Sequence, residues 1–155
     1  LPGVLGLELG NEFRDARDSN ENASTMSLTY GLLEWIELGI DIVFKTIIPD
    51  SGGDESGVGD IVFSTKFKIL DENGFLPAVL LKPSVSLPTG NNDKGLGSGE
   101  IETGLLLALE KTFWRLTGRT NLGYSGTNLD DNHEDKFFYG FEADFPLFER
   151  LILGF

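Results

Sequence analysis

Cysteine is absent from this 155-residue chain, histidine occurs once, and no apolar run reaches the roughly 18 residues of a membrane-spanning helix. The missing thiols exclude a disulfide framework, a thiolate metal site and a thiol nucleophile. Cations are scarce: 12 Lys and Arg stand against 25 Asp and Glu, a formal net charge of -13. A nucleic-acid partner requires a concentrated basic surface, and no basic run supplies one. The single histidine, His133, lies in the acidic stretch Asp130-Asp131-Asn132-His133-Glu134-Asp135 and reads as solvated. It supports no Ser/His/Asp arrangement, so no catalysis and no cofactor is expected.

What is present is glycine, phenylalanine and alternation. Twenty glycines, six prolines and twelve phenylalanines suit an all-β chain of a single domain, residues 1–155. In Asp60 to Ile69 one face carries Ile61, Phe63, Thr65, Phe67 and Ile69, and the other Asp60, Val62, Ser64, Lys66 and Lys68. Strand side chains alternate between two sides, so the segment has one apolar and one polar face. The same period recurs over Val4 to Phe13, Ser24 to Leu33, Ile36 to Lys45, Phe75 to Leu87, Ile101 to Glu110, Leu116 to Tyr124 and Lys136 to Phe145. A ninth segment, Leu151 to Phe155, is cut by the chain end. Pro83 cannot donate to a ladder, and its segment is expected to bulge or lose a pairing there.

The connections take turns in length. Short ones fall near residues 34, 72, 113 and 148, where Asp71-Glu72-Asn73-Gly74 is a tight-turn signal. Long ones fall at Arg14 to Ala23, Ile48 to Val58, Pro88 to Gly99 and Ser125 to Asp135. In an up-and-down meander this puts every long loop at one end, the asymmetry of outer-membrane barrels with short periplasmic turns and long external loops. The polar face mixes glycines (Gly6, Gly10, Gly31, Gly39, Gly104, Gly123, Gly140) with charges of both signs, while the apolar face is nearly uncharged. A crowded, hydrated interior and a lipid-facing exterior account for both. The expected fold is therefore an all-β, antiparallel, up-and-down transmembrane β-barrel with about eight to nine strands present. The alternatives are a soluble lipocalin-like barrel with the apolar face inward around a hydrophobic ligand, and a nonconducting barrel that anchors its loops.

Several blocks carry a family resemblance. Tyr30-Gly31-Leu32-Leu33-Glu34-Trp35-Ile36-Glu37-Leu38-Gly39, Gly57-Val58-Gly59-Asp60 running on to Lys66-Phe67, Leu87-Pro88-Thr89-Gly90 with Gly95-Leu96-Gly97-Ser98-Gly99, and Asn121-Leu122-Gly123-Tyr124 resemble successive blocks of the outer-membrane family named for the meta-pathway of phenol degradation. The resemblance runs from about residue 28 to 155. It implies a bacterial outer-membrane barrel of the transporter kind, with lipid and lipopolysaccharide around it and small, hydrophobic or aromatic solutes inside. Members of the family are longer, so the chain is expected to be a fragment or trimmed form.

Candidate functional residues are the charges of the polar face: Asp60, Lys66, Lys68, Lys82, Glu102, Glu110, Arg119, Glu142 and Asp144, with Lys66, Lys82, Glu102, Arg119 and Glu142 expected as the inner network. A self-neutralising lumen network and a solute-selecting ring are both compatible with them. Divalent cations could bridge the acidic loops, through Asp130 to Asp135 or through Asp50, Asp54 and Glu55, but neither follows an EF-hand spacing and no metal site is assigned. The Gly95 to Gly99 stretch is no phosphate cradle, because a strand and not a helix follows it.

The face assignment can be tested on one residue. If Phe63 faces lipid near the midplane, Phe63→Arg should lower the refolding free energy in lipid by about 2–4 kcal/mol; an unchanged value would turn the sheet around.

Overall fold

A computed structural model describes residues 2–16, 19–49, 53–127, 135–148 and 151–154, of which 16, 146–148 and 151–154 are described through the backbone only. Nine strands are present: β1 Leu5–Ala16, β2 Ser19–Leu33, β3 Ile36–Pro49, β4 Glu55–Leu70, β5 Ala78–Leu87, β6 Glu102–Phe113, β7 Leu116–Thr127, β8 Asp135–Phe148 and β9 Leu151–Gly154. Each pairs antiparallel with its chain neighbour, in the order β1 to β9, giving one up-and-down sheet curled into a half-barrel. The only helical piece among the described residues is a 3-10 turn at Asn92–Lys94. Each hairpin closes as soon as its second strand emerges, so alternation and turn chemistry suffice to specify the order.

The curl puts the polar face on the concave side. Ser64 is only 9% exposed, whereas Leu9 is 74%, Phe141 72% and Tyr139 81% exposed on the other face. Leu96 is the one buried apolar side chain among the described residues. Large apolar side chains thus cover the convex surface, the reverse of a globular domain.

Across the concave face the strand pairings trace one continuous row, Gly6–Thr29–Gly39–Ser64–Ser84–Gly104–Ser125–Lys136. Every member but the last is small. Gly39 needs to be, because a Cβ there would stand 2.7 Å from Ser64 Oγ. Gly6 lies one residue from the short-turn end of β1, while Lys136 lies twelve from that end of β8. A climb of this size over seven pairings corresponds to strands tilted by about 45°, at the upper end of the barrel range.

Three expectations from the sequence change. Arg14 to Ala23 is not a loop, since β1 and β2 run through it as a ladder down to Ala16↔Ser19. The outward positions there, Asp15, Asn20 and Asn22, are polar, so the alternating signal stops although the strand does not. Ile48 to Val58 and Ser125 to Asp135 shrink for the same reason, as β3, β4, β7 and β8 extend into them. The asymmetry survives mainly as long hairpins, and the 88–101 connection alone keeps its predicted length. The turn after β4 is longer than expected: it is closed by a bridge between Asn73 and Leu76, with Gly74 at φ 56. Gly74 and Phe75, not Asn73 and Gly74, are therefore the central pair, an arrangement with Gly first.

Pro83 pairs in register with Leu105 on β6, but the β4–β5 ladder skips from Ser64↔Ser84 to Phe67↔Leu81. The interruption falls where the proline has no N–H to offer. It leaves a groove of about 410 Å³ on the convex face, bordered by Leu38, Phe63 and Pro83.

At the short-turn end Glu72 ties the β4–β5 turn to β6. Its carboxylate accepts from Lys111 Nζ at 2.7 Å and from the Thr112 N–H at 3.1 Å, and Lys111 also donates to the Gly74 carbonyl at 2.6 Å. These donors hold the Glu72 carboxyl below its usual pKa. A depressed carboxyl stabilises the fold above its unfolded pKa, and the contribution is lost as pH falls through the folded value. Glu72→Gln should therefore be less stable than the native chain at neutral pH, and acid titration of unfolding should bring the two curves together below the ordinary carboxylate range. Parallel curves would exclude this role.

Candidate functional site

The concave face is built from inward positions of all the long strands; its candidate charges lie mainly in two clusters and a clasp, while Glu21–Lys45 at 3.7 Å and Glu12–Arg14 at 3.2 Å pair separately. The first cluster spans β3, β4 and β5, where Lys66 Nζ donates to Glu37 Oε1 at 2.7 Å and Lys82 Nζ stands 3.9 Å from Asp41. Both lysines lie within the interrupted stretch of the β4–β5 ladder. The second spans β6, β7 and β8 around Arg119, whose Nε donates to Glu110 at 2.6 Å, while its Nη1 meets Asp144 and lies 3.6 Å from Glu142. One guanidinium with three carboxylates leaves this cluster net negative, and the planar fork is what lets a single cation serve several strands. The strands pair Glu110↔Arg119↔Glu142 directly, so ladder geometry alone brings these groups together.

Two candidates stand apart. Lys68 pairs locally with Asp71 at 2.9 Å at the short-turn end of β4 and does not reach the network. Glu102 makes no ion pair among the described residues; it sits in the row Glu8–Ser27–Asp41–Val62–Ser86–Glu102. The expected single network around Lys66, Lys82, Glu102, Arg119 and Glu142 is thus divided, because Leu80, Leu106 and Ala108 occupy the inward positions between its halves. Between Lys68 and Arg119 lies a recess of about 230 Å³ in which Leu80, Ala108 and Asn121 also take part.

Asp60 belongs to neither cluster. Between the pairs Ile42↔Ile61 and Phe44↔Val58 the single residue Val43 faces two, Gly59 and Asp60. This bulge re-aims a side chain, as bulges do. The Asp60 carboxylate accepts from the Gly90 N–H at 2.9 Å, the Ser98 N–H at 2.7 Å and the Ser98 hydroxyl at 2.9 Å. Both edges of the 88–101 connection are therefore drawn onto β4. Thr89 completes the seam: its hydroxyl accepts from the Ile61 N–H at 3.0 Å and donates to the Gly59 carbonyl at 3.2 Å, continuing the β4–β5 ladder by side chain where Pro88 has interrupted the backbone. Leu96 then settles over β4, where a Cβ on Gly57 would stand 2.9 Å from its Cδ1 and one on Gly59 3.0 Å from its carbonyl oxygen.

The blocks Gly57-Val58-Gly59-Asp60, Leu87-Pro88-Thr89-Gly90 and Gly95-Leu96-Gly97-Ser98-Gly99 are one object. Asp60, expected from the sequence as a lumen charge, is instead the residue that joins them. The missed signal was that a lone Asp and a Thr accompanied glycines in both segments, the composition of close backbone approach with side-chain hydrogen bonding. Lys94 adds an ion pair of 2.7 Å to Glu55. Among the described residues no three acidic or histidine side chains converge on a metal position. His133, Asp50 and most of the acidic stretch 130–135 lie outside the described residues.

Fold and site together define a β-barrel protein, with its apolar side chains turned outward and its charges turned to the concave interior. A family model described as "Putative MetA-pathway of phenol degradation" matches residues 10–147, and the chain belongs to that family. No curated protein matches it. Family and fold are compatible with an outer-membrane location.

The clasp predicts a contrast between glycines. A Cβ on Gly90 would stand 2.8–2.9 Å from backbone atoms of Gly97 and Leu96, whereas one on Gly140 meets nothing within 4 Å. Gly90→Ala should cost about 1–3 kcal/mol in refolding free energy, since backbone has to move, and Gly140→Ala should stay within about 0.5 kcal/mol. Equal costs would mean that the loop does not seat on β4 in this way.

Proposed function

We propose that the chain forms the wall of an outer-membrane β-barrel that lets small solutes pass along its concave, charged interior, and that it is not an enzyme. The observation that carries this is the inversion of faces: large apolar side chains lie on the convex surface, while charges and small residues line the concave one. A sheet of this kind in water would present an apolar surface far beyond what monomeric soluble proteins tolerate. In a bilayer the same surface is the contact with lipid, and the ladder satisfies the backbone internally. The lipocalin-like reading needs the apolar face inward and has no support from this curvature. Exposed aromatics gather where interfacial girdles belong, with Trp35, Phe75, Phe113 and Trp114 at the short-turn end and Phe13, Tyr124, Phe137 and Tyr139 towards the other. The reading requires the open sheet edges to be paired in the membrane, and lipopolysaccharide to surround the projecting hairpins.

The preferred solutes are small aromatic or otherwise hydrophobic molecules. The family description points to phenol chemistry, and the recess beside Arg119 offers Leu80 and Ala108 as an apolar floor with polar groups at its rim. For inorganic ions the interior should favour cations, because Glu8 and Glu102 have no ion-pair partner among the described residues and Arg119 faces three carboxylates.

Planar-bilayer recording of the complete protein in a salt gradient checks both parts. Conductance with a reversal potential on the cation-selective side is expected, and liposomes should admit phenol-sized solutes faster than protein-free controls. Insertion without either conductance or flux would leave only a structural anchor.

A further inference from the structure

Joining two antiparallel strands takes two to five residues. The β5–β6 connection uses fourteen, residues 88 to 101, with a 3-10 turn at Asn92–Lys94. They do not stand away from the sheet. Leu96 is 3% exposed against Gly57 and Gly59 on the concave face of β4, at the long-loop end, while Asn91, Asn92 and Asp93 are exposed. The segment is folded back over the concave face of β4, with its polar edge left exposed.

The hold on it is stronger than packing requires. An ionised carboxylate accepting two backbone N–H groups and a hydroxyl forms charge-assisted bonds, each about twice as strong as a neutral one. Asp60 supplies them to both limbs of the loop, at Gly90 and at Ser98. The loop closes on itself as well, through Leu96 N–H to Asn91 O at 2.9 Å and Lys94 N–H to Asn91 Oδ1 at 3.2 Å. Glycine at Gly57, Gly59, Gly90 and Gly97 removes the side chains that would hold the loop off the wall.

We infer that residues 88–101 are a fixed constriction inside the barrel which sets the largest solute that passes, and that Asp60 is the positioning residue which keeps it seated. This rests on the passage reading above. Asp60 need not touch the solute; the loop's polar edge does, and without the carboxylate the loop lifts from β4 and the passage widens.

These 155 residues hold no cysteine, so a thiol placed among them reports alone once any cysteine elsewhere in the complete protein is replaced. In the complete protein, Leu96→Cys gives a buried reporter thiol and a membrane-impermeant methanethiosulfonate reagent the probe. Adding Asp60→Asn should speed labelling about tenfold or more, the effect of losing charge-assisted bonds on local opening. Without the reporter, Asp60→Asn should raise single-channel conductance and admit larger neutral sugars into liposomes. If Asp60→Asn does not assemble, Ser98→Ala, which removes one donor, should shift the same readouts less. Faster labelling with unchanged conductance and size limit would overturn the constriction while leaving passage intact. Unchanged labelling in both variants would overturn the clasp. A native protein without conductance or flux would remove the passage reading itself, whatever the labelling shows.

Discussion

Cohesion in this molecule resides in its hydrogen-bond ladder. A globular domain of this size is held by apolar side chains withdrawn from water, whereas here a single leucine is buried among the described residues. What remains is the continuous pairing of β1 through β9, supplemented on the concave face by ion pairs and on the convex face by whatever the surroundings provide. Such a sheet cannot afford gaps in pairing, and the places where pairing falters are all repaired or confined. The bulge at Gly59 and Asp60 has Thr89 to take up its backbone groups. The break at Pro83 is bounded by ladder on both sides and leaves β5 fully paired to β6.

Tilt and small side chains follow from the same constraint. Strands at about 45° bring inward residues of neighbouring strands close together, and the row from Gly6 to Ser125 answers with glycine, serine and threonine. At Gly123 the missing side chain makes room for bulk on the neighbouring strand: the Phe138 ring lies over it so closely that a Cβ would overlap it. Charges are then placed where the ladder itself pairs opposite signs, at Glu37↔Lys66 and at Glu110↔Arg119↔Glu142. Exposed ion pairs contribute little in water, about 0–1 kcal/mol each; on the concave face they also fix which inward side chains point at a partner.

Much of this was legible in the residues. Alternation marked every long strand and sorted its two faces, since a period of two is a direct print of the pleat. Strand ends were not legible, because alternation reports contrast between faces and the hairpins continue where both faces are polar, as at Arg14, Asp15, Asn20 and Glu21. The charge network was legible as a set of residues but not as a topology: Lys68 looked equivalent to Lys66, yet two residues nearer the strand end it meets Asp71 instead of the interior. Register decides such matters, and each bulge, at Leu32, at Asp60 and at Ile69, resets register by an amount that no period reveals.

The clasp shows why the least regular stretch of the sequence carries the most specific structure. Regular positions are constrained only to be apolar or polar, so many residues serve. At Asp60 the demand is for a short carboxylate that can reach two limbs of a loop from a bulged strand, at Thr89 for a hydroxyl that can accept and donate at once, and at Gly57, Gly59, Gly90 and Gly97 for the absence of a side chain. Glutamate at position 60 would carry the same charge one methylene too far, and serine at 98 contributes through backbone and hydroxyl together. A loop that needed only to connect β5 to β6 would be free of all these demands. That they converge on one seam at the long-loop end of the concave face is the physical reason to assign the seam a task beyond connection.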